Sequence, residues 1–193
     1  MLPQKPPVLI LASSSPRRQD LLRQAGIQFQ VHAAHINEDQ KPGEAPLDYA
    51  LRLSQEKAQT VAQHYPQNFI LGADTIVVVD NEVLGKPRDR ADALRMLRQL
   101  SGRTHQVTTA VTLLAPPRAE TRHCTTQVTF RKLTEEEIQQ YVANGEPMDK
   151  AGSYAIQGGA AGWTNRINGD HSNVVGLPLS LVTEMLRANG LLS

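Results

Sequence analysis

A short segment near the start of the chain combines groups that bind anions. The run SSSPRR occupies residues 13–18, with Ser15 as a natural N-cap and Pro16 suited to the first position of a helix. Backbone N–H groups at a helix N-terminus favour an anion, and the guanidinium groups of Arg17 and Arg18 match phosphate oxygens. The run therefore predicts phosphate binding, although an N-cap followed by surface arginines would leave the same pattern.

An aspartate stands at the end of an apolar, strand-like run. The sequence GADT at residues 72–75 follows apolar residues that predict a buried strand. An acid at such a position costs free energy unless it has a partner or a task. Asp74 could hold a divalent cation or act as a general base. It could equally cap a turn through its own backbone.

Two lysines and an unusual polar segment complete the set of reactive groups. Lys86 stands within GKP at residues 85–87, where two backbone-shaping neighbours predict a lysine held in place. Lys57 lies on a predicted helix, where lysines most often face solvent. The segment EPMDKAGSYAIQG at residues 146–158 is typical of a pocket-forming loop or of a structured connector. Glu38 lies in a polar loop and by itself indicates nothing.

Motifs of several other enzyme classes are absent from the sequence. It contains no Walker A motif, no GxGxxG after a strand, no GxSxG elbow and no HExxH. An anion-binding turn, acids and lysines remain, without an obvious nucleophile. This set favours metal-assisted attack of water on a phosphoanhydride. The cation would neutralise phosphate charge, and an acid would position or deprotonate the water.

Composition and charge argue against several classes of partner. The chain has 193 residues, with 20 Lys and Arg against 19 Asp and Glu, so net charge favours neither nucleic acid nor an acidic membrane. Aromatic residues make up only 4%, which leaves few rings for base stacking. The single cysteine, Cys124, cannot form an internal disulfide. The apolar run from Val8 to Ala12 is too short for a signal-peptide core or a membrane span. We expect a cytoplasmic, unprocessed protein.

The elements that must position these residues alternate between strand and helix early in the chain. Strands are predicted at Val8–Leu11, Phe29–Ala33, Phe69–Ala73, Ile76–Val79, Gln106–Leu114, Thr121–Phe130 and Trp163–Ile167. Helices are predicted at Arg17–Gln24, Pro46 to about His64, Ala91–Leu100, Thr134 to about Val142 and Pro178 to about Ala188. Asp80-Asn81 predicts a turn and Asn168-Gly169 a hairpin turn. This order predicts an α/β protein with a mixed sheet, in one domain over residues 1–193.

Taken together, the motifs resemble those of the Maf family of nucleotide pyrophosphatases. The matching pieces are LASSSPRR at 11–18, EKA at 56–58, GADT at 72–75, GKP at 85–87, SGRTHQVTTAV at 101–111, GEPMDKAGSYAIQG at 145–158 and GDHSNVVGLPL at 169–179. They follow one another in family order over nearly the whole chain. Seven pieces in order are far more specific than any single piece.

The resemblance implies a fold and an activity. The fold would be α/β with a mixed β-sheet, flanking helices and two lobes around a central cleft, a Maf/ITPase-like arrangement. The enzyme would be a cytoplasmic homodimer that uses a divalent metal cation, Mg²⁺ or Mn²⁺. It would convert a nucleoside triphosphate to the monophosphate and pyrophosphate, and so remove unwanted or modified nucleotides. Older descriptions of the family link it to arrest of cell division.

The resemblance also implies roles for single residues. Asp74 matches the proton acceptor for the attacking water, and Glu38 matches a loop acid that would share the metal with Asp74. Lys57 and Lys86 match lysines that contact phosphates. Ser13 and Arg18 match the phosphate-binding turn.

Three further positions match the subgroup that acts on dTTP and UTP. They are Arg17, Thr75 and Gln157. A glutamine amide both donates and accepts hydrogen bonds, which suits the imide edge of uracil or thymine. Three positions depart from the family pattern outside these residues: Asn37 replaces a frequent acid, Ser54 a usual alanine and His171 a common aromatic residue.

Three alternatives stay open from the sequence. The chain could be a regulator of septum formation that binds a nucleotide without turning it over, and such a binder would have no need of Asp74. It could bind nucleic acid, which the balanced charge disfavours. It could also be a pyrophosphatase for purine triphosphates such as ITP.

Overall fold

Strands and helices alternate in the computed structural model, which describes residues 8–192. The strands are β1 (Leu9–Leu11), β2 (Phe29–Val31), β3 (Phe69–Val79), β4 (Glu82–Leu84), β5 (Thr104–Ala115), β6 (Arg118–Phe130) and β7 (Thr164–Asn168). The α-helices are α1 (Pro16–Gln24), α2 (Pro46–Ala62), α3 (Arg90–Leu100), α4 (Glu135–Ala143), α5 (His171–Val175) and α6 (Leu179–Ala188). Short 3₁₀ helices occur at Glu146–Asp149, Ala151–Ser153 and Ala161–Trp163.

Among residues 8–192, no helix has the length and apolar character needed to span a membrane. The expectation of an unprocessed N-terminus rests partly on residues 1–7, which lie outside the described residues.

The strands form one mixed sheet. Their order is β2-β1-β3-β5-β6-β7, with β4 paired to β3. β1 runs parallel to both β2 and β3, so Ile10 lies between Gln30 and Ile70. β4 is antiparallel to β3, and β7 is antiparallel to β6. The predicted α/β class with a mixed sheet and flanking helices is therefore confirmed.

The chain divides into two compact units. Within the described residues, the first contains residues 8–74, Ala110–His123 and residues 176–192. The second contains Thr75–Thr109 and Cys124–Val175. The description of residues 1–193 as a single domain stays a prediction.

In the first unit, α2 packs closely against β3. A cluster of small and branched apolar side chains joins them to β1: Ile10, Ala12, Ala58, Val61 and Ile70. A Cβ atom at Gly72 would lie 2.3 Å from the carbonyl oxygen of Ser54 and 2.9 Å from Ala58 Cβ. Only glycine lets helix and strand approach this closely, and that approach carries Lys57 of α2 to the level of Asp74.

In the second unit, an aromatic cluster fixes the segment that follows α4. The ring of Phe130, which is almost fully buried, lies edge-on to His105 at 4.9 Å and to Tyr154 at 4.8 Å. Trp163 lies edge-on to Tyr141 at 4.7 Å. Edge-to-face aromatic pairs add to the stabilisation from burial. The cluster therefore ties residues 146–163 to the sheet.

One predicted boundary was wrong because polar residues interrupt an apolar run. The expected strands Phe69–Ala73 and Ile76–Val79 form one continuous strand, β3. Asp74 and Thr75 lie in its middle, where each side chain has a hydrogen-bond partner from another element. Because both are satisfied, the strand does not need to end there.

A second prediction was wrong at Asn168-Gly169, which does not form a hairpin turn. The chain passes into α5 instead. Asp170 Oδ1 accepts from the backbone N–H groups of Ser172 at 2.7 Å and of Asn173 at 3.4 Å, which caps this short helix. Because Asp170 directly follows Asn168-Gly169 and caps α5, the chain forms a helix here and not a hairpin.

Candidate active site

The turn between β1 and α1 presents a hydroxyl with a defined hydrogen-bonding state. Ser13 is buried, and its Oγ accepts from Ser15 N at 3.2 Å and from Arg18 Nη1 at 3.1 Å. A hydroxyl has two lone pairs and one hydrogen, so two accepted bonds leave the hydrogen for a further partner. Ser13 can thus bind another group only as a donor, which suits a phosphate oxygen. Ser15 caps α1, as predicted.

Arg18 lies next to this hydroxyl in a half-buried position. Its Nε donates to the carbonyl oxygen of Gly176 at 2.8 Å, which fixes the plane of the guanidinium. Burial lowers the pKa of Arg18, and the nearby carboxylates of Asp74 and Glu38 oppose that shift. The guanidinium stays cationic at neutral pH because arginine is not deprotonated in proteins. The turn therefore holds a fixed positive charge within the field of two acids.

Lys57 joins the two predicted acids. Its Nζ lies 2.7 Å from Asp74 Oδ1 and 2.8 Å from Glu38 Oε1. Lys57 and Asp74 are buried, whereas Glu38 is exposed. Lys57 is therefore not one of the solvent-facing lysines that are common on helices. Asp74 does not cap a turn either, since it lies within β3 and pairs with Lys57.

The loop that carries Glu38 is held to α2 by a clamp. Arg52 makes two hydrogen bonds to the carboxylate of Glu44, at 2.6 and 2.8 Å, and a third to the carbonyl oxygen of Asp39 at 3.0 Å. Tyr49 Oη donates to the carbonyl oxygen of Glu38 at 2.6 Å. Bidentate arginine–carboxylate pairs fix geometry as well as charge. The clamp therefore sets where the Glu38 carboxylate lies.

The charges in and around this clamp shift the pKa values of Glu44 and Tyr49. Hydrogen bonds from Arg52 lower the pKa of Glu44 to about 2. Burial raises the pKa of Tyr49 to about 12, and the negative charges of Asp74 and Glu38 add to that increase. Tyr49 therefore stays protonated at neutral pH and keeps its hydrogen bond to the loop.

The remaining predicted residues belong to the second unit. Thr75 lies on β3, half-buried, with its Oγ1 2.9 Å from Thr109 Oγ1. Lys86 is exposed just after β4, and Gln157 is exposed in a turn. The carbonyl oxygen next to Lys86, that of Gly85, accepts from Gly152 N at 3.1 Å.

The turn that carries Gln157 is braced by one carboxylate. Glu146 accepts from the backbone N–H of Gly159 at 3.2 Å and from Tyr141 Oη at 3.0 Å. A Cβ atom at Gly158 would lie 1.8 Å from Glu146 Oε1, so the carboxylate fits only against glycine. Residues 146–158 therefore form an ordered, anchored segment.

The predicted residues fall into two sets. Ser13, Arg17, Arg18, Glu38, Lys57 and Asp74 belong to the first unit, and Thr75, Lys86 and Gln157 belong to the second. Direct contacts join Ser13 to Arg18 and Lys57 to both acids. Their chemical roles stay predictions.

Several residues that position the predicted ones gave no signal in the sequence. They are Tyr49, Arg52 and Glu44 in the first unit, and Thr109, Glu146 and Tyr141 in the second. Charged and hydroxyl residues of these types occur on many helices and strands without such a task. Their partners are distant in sequence or lie across a turn, so spacing alone could not reveal the contacts.

Comparison with known proteins identifies the family. Residues 8–189 match the family described as Maf-like protein. A dTTP/UTP pyrophosphatase of Koribacter versatilis is 53% identical over 184 residues, 95% of each chain. Proteins of the same name from Symbiobacterium thermophilum and from a Geobacillus species are 53% and 49% identical, over 94% of this chain and 94% and 98% of theirs. The sequence profile and these relatives cover nearly the whole chain, and the protein belongs to the Maf-like protein family.

Proposed function

We propose that this protein hydrolyses dTTP and UTP to the monophosphate and pyrophosphate, and that it removes unwanted pyrimidine nucleotides. The observation that carries the proposal is the Glu38–Lys57–Asp74 cluster, which puts a buried base and a cation beside the anion-binding turn. Relatives named dTTP/UTP pyrophosphatase, about half identical over almost the full chain, support the substrate.

In the proposed reaction, water attacks the α-phosphorus. A bond forms between the water oxygen and phosphorus, and the bond from phosphorus to the α,β-bridging oxygen breaks, which releases pyrophosphate. Asp74 accepts the proton of the water, and Lys57, which donates to its Oδ1, orients the carboxylate. Ser13 and Arg18 donate to phosphate oxygens, where negative charge develops.

The lysines have complementary parts in the same proposal. An ammonium has three N–H groups, and Lys57 directs two of them at Asp74 and Glu38. The third is available to a phosphate oxygen. Lys86, exposed between Gly85 and the buried Pro87, contacts the phosphates as a second cation.

The acids fit a divalent cation. Glu38 and Asp74 supply hard carboxylate oxygens, and both form ion pairs with the ammonium of Lys57. No group of three or more potential ligands among His, Cys, Asp and Glu occurs in residues 8–192. Mg²⁺ commonly binds through one or two carboxylates together with substrate phosphates. We therefore propose that Mg²⁺ or Mn²⁺ binds with the nucleotide and supplies charge neutralisation.

Pyrimidine selection falls to Arg17, Thr75 and Gln157 in this proposal. The braced turn supports this role for Gln157, whose amide can both donate and accept hydrogen bonds. A homodimer in the cytoplasm is the setting that we propose, in keeping with a single, half-buried cysteine, Cys124. Sedimentation analysis of the purified protein tests the dimer.

The test is pyrophosphate release from dTTP, UTP, CTP, ITP and 7-methyl-GTP, with Mg²⁺ or Mn²⁺ and with a chelator. We expect metal-dependent turnover of dTTP and UTP and little of the others. Turnover chiefly of ITP would make the protein a purine pyrophosphatase. Folded protein that turns over none of the five would contradict the proposal and favour a nucleotide-binding regulator.

A further inference from the structure

The hydroxyl of Thr75 belongs to a chain of hydrogen bonds that runs into the protein. Thr75 Oγ1 lies 2.9 Å from Thr109 Oγ1, and Thr109 Oγ1 lies 3.2 Å from the carbonyl oxygen of Asn173. Thr109 and Asn173 have no exposed surface. Asn173 is itself fixed, since its side-chain amide donates to the carbonyl oxygen of Val107 at 2.9 Å and to Thr126 Oγ1 at 3.0 Å.

The direction of these bonds follows from the last acceptor. A carbonyl oxygen can only accept, so Thr109 is the donor to Asn173. A hydroxyl has one hydrogen, so Thr109 can only accept in its contact with Thr75. Thr75 therefore gives its hydrogen to Thr109. Toward any further group, the oxygen of Thr75 acts only as an acceptor.

The segment that leads to Gln157 packs on the face of β3 that carries Thr75. Side chains alternate along a strand, so Thr75 and Val77 point to one face. A Cβ atom at Gly152 would lie 2.9 Å from the methyl groups of Val77. The segment that begins at Gly152 therefore covers that face, and Gln157 follows five residues later.

Contacts of the neighbouring strand β5 also place this segment on the face that carries Thr75. Thr109 and His105 share one face of β5, by the same alternation. His105 Nε2 lies 2.8 Å from Tyr154 Oη, in the segment that leads to Gln157. Thr75, Thr109 and Gln157 are thus associated with one face of the sheet within the second unit.

We propose that Thr109 makes this protein prefer uracil and thymine to cytosine, because it fixes Thr75 as an acceptor toward the base. The N3 atom of uracil and thymine carries a hydrogen, whereas N3 of cytosine is itself an acceptor. An acceptor at Thr75 binds the first and repels the second. Thr109 is a positioning residue that acts through Thr75. The inference rests on the proposed function, since it takes a pyrimidine nucleotide as the ligand.

The experiment measures binding, so that it does not depend on turnover. Isothermal titration calorimetry compares the non-hydrolysable α,β-methylene analogues of UTP and CTP on the wild type and on Thr109→Val. Valine keeps the shape of threonine and removes the hydroxyl, which leaves the hydrogen of Thr75 able to turn toward cytosine N3. We expect the preference for the UTP analogue to fall about tenfold, chiefly through tighter binding of the CTP analogue.

The matched control is Thr108→Val. Thr108 is the adjacent residue on β5 and is also buried, but its hydroxyl pairs with Thr125 Oγ1 at 2.9 Å, on the other face of the strand. This variant should keep the wild-type preference. An unchanged preference in folded Thr109→Val, or no preference in the wild type, would overturn the inference.

A second variant keeps the inference testable if Thr109→Val does not fold by circular dichroism. Thr75→Val removes the acceptor itself, so affinity for the UTP analogue should fall about tenfold while affinity for the CTP analogue does not fall. Equal losses for both analogues would contradict the inference. If the wild type binds with the expected preference but hydrolyses nothing, the proposed function fails and the inference about Thr109 stands.

Discussion

Ser13 in the first unit and Thr75 in the second carry the same functional group in opposite hydrogen-bonding states. Ser13 Oγ accepts from Ser15 N and Arg18 Nη1, so only its hydrogen remains for a ligand. Thr75 gives its hydrogen to Thr109, so toward a ligand its oxygen can act only as an acceptor. The partners of each hydroxyl, and not the hydroxyl itself, set what it can bind.

The difference matches the two parts of a nucleotide. Phosphate oxygens only accept hydrogen bonds, and a hydroxyl limited to donation suits them. The imide N3–H of uracil or thymine only donates, and a hydroxyl limited to acceptance suits it. We therefore expect a change at Ser13 to affect all nucleotides alike, and changes around Thr75 to depend on the base.

The largest expected effect comes from Asp74→Asn, because an amide cannot accept the proton of the attacking water. We expect kcat to fall about 1,000-fold for every nucleotide that is turned over, measured as pyrophosphate release. Asp92→Asn is the matched control, since Asp92 is a buried carboxylate on α3 that pairs with Arg88 and Arg95. The Asp92→Asn variant should release pyrophosphate at the wild-type rate. Unchanged turnover in Asp74→Asn would remove Asp74 from the mechanism.

The second unit should lose stability in mild acid through His105. Burial lowers the pKa of His105 to about 4. Between that value and about 6.5, the unfolded chain binds a proton that the folded chain does not. The free energy of unfolding should therefore fall as pH decreases from 6.5 to 4, by up to about 3 kcal/mol, or about 150-fold in the folding equilibrium.

The fluorescence of Trp163 reports this change, because it is the only tryptophan and packs on Tyr141 and Phe130 in the same cluster. Urea unfolding followed by fluorescence at several pH values gives the slope. His105→Gln keeps a partner for Tyr154 Oη without titrating in this range, so its slope should be flatter. Equal slopes for both proteins would show that His105 is not the titrating group.

Ser13→Ala should have the smallest effect, and it tests directly whether Ser13 contacts the phosphates and not the base. Losing one donor to phosphate should lower kcat/KM about tenfold, by the same factor for dTTP, UTP and CTP. Ser54→Ala is the control: this buried serine of α2 donates to the carbonyl oxygen of Leu51 and contacts Thr112, outside the anion-binding turn. A loss that depends on the base would contradict the separation between Ser13 and Thr75.

Most elements of the fold could be predicted from local pattern. The strand–turn–helix opening at 8–24, the capping box at Thr134 and the amphipathic helix α3 depend on residues close in sequence, and all three are present. The two errors have different causes. β3 continues through Asp74 and Thr75 because α2 and β5 supply their partners. At Asn168-Gly169, the carboxylate of Asp170 caps α5, so a helix forms in place of a hairpin.

By itself, the sequence determined which chemical groups are present and the class of reaction that they suit: an anion-binding turn, two acids, two lysines and a glutamine in a polar segment. Contacts in the folded protein place Lys57 between Glu38 and Asp74, and they hold the Glu38 loop through Arg52 and Tyr49. They also make Ser13 a donor and Thr75 an acceptor toward a ligand. The physical reason is that the state of a hydroxyl or a carboxylate depends on partners within about 3 Å. Those partners come from elements far apart in the chain, and folding alone brings them together.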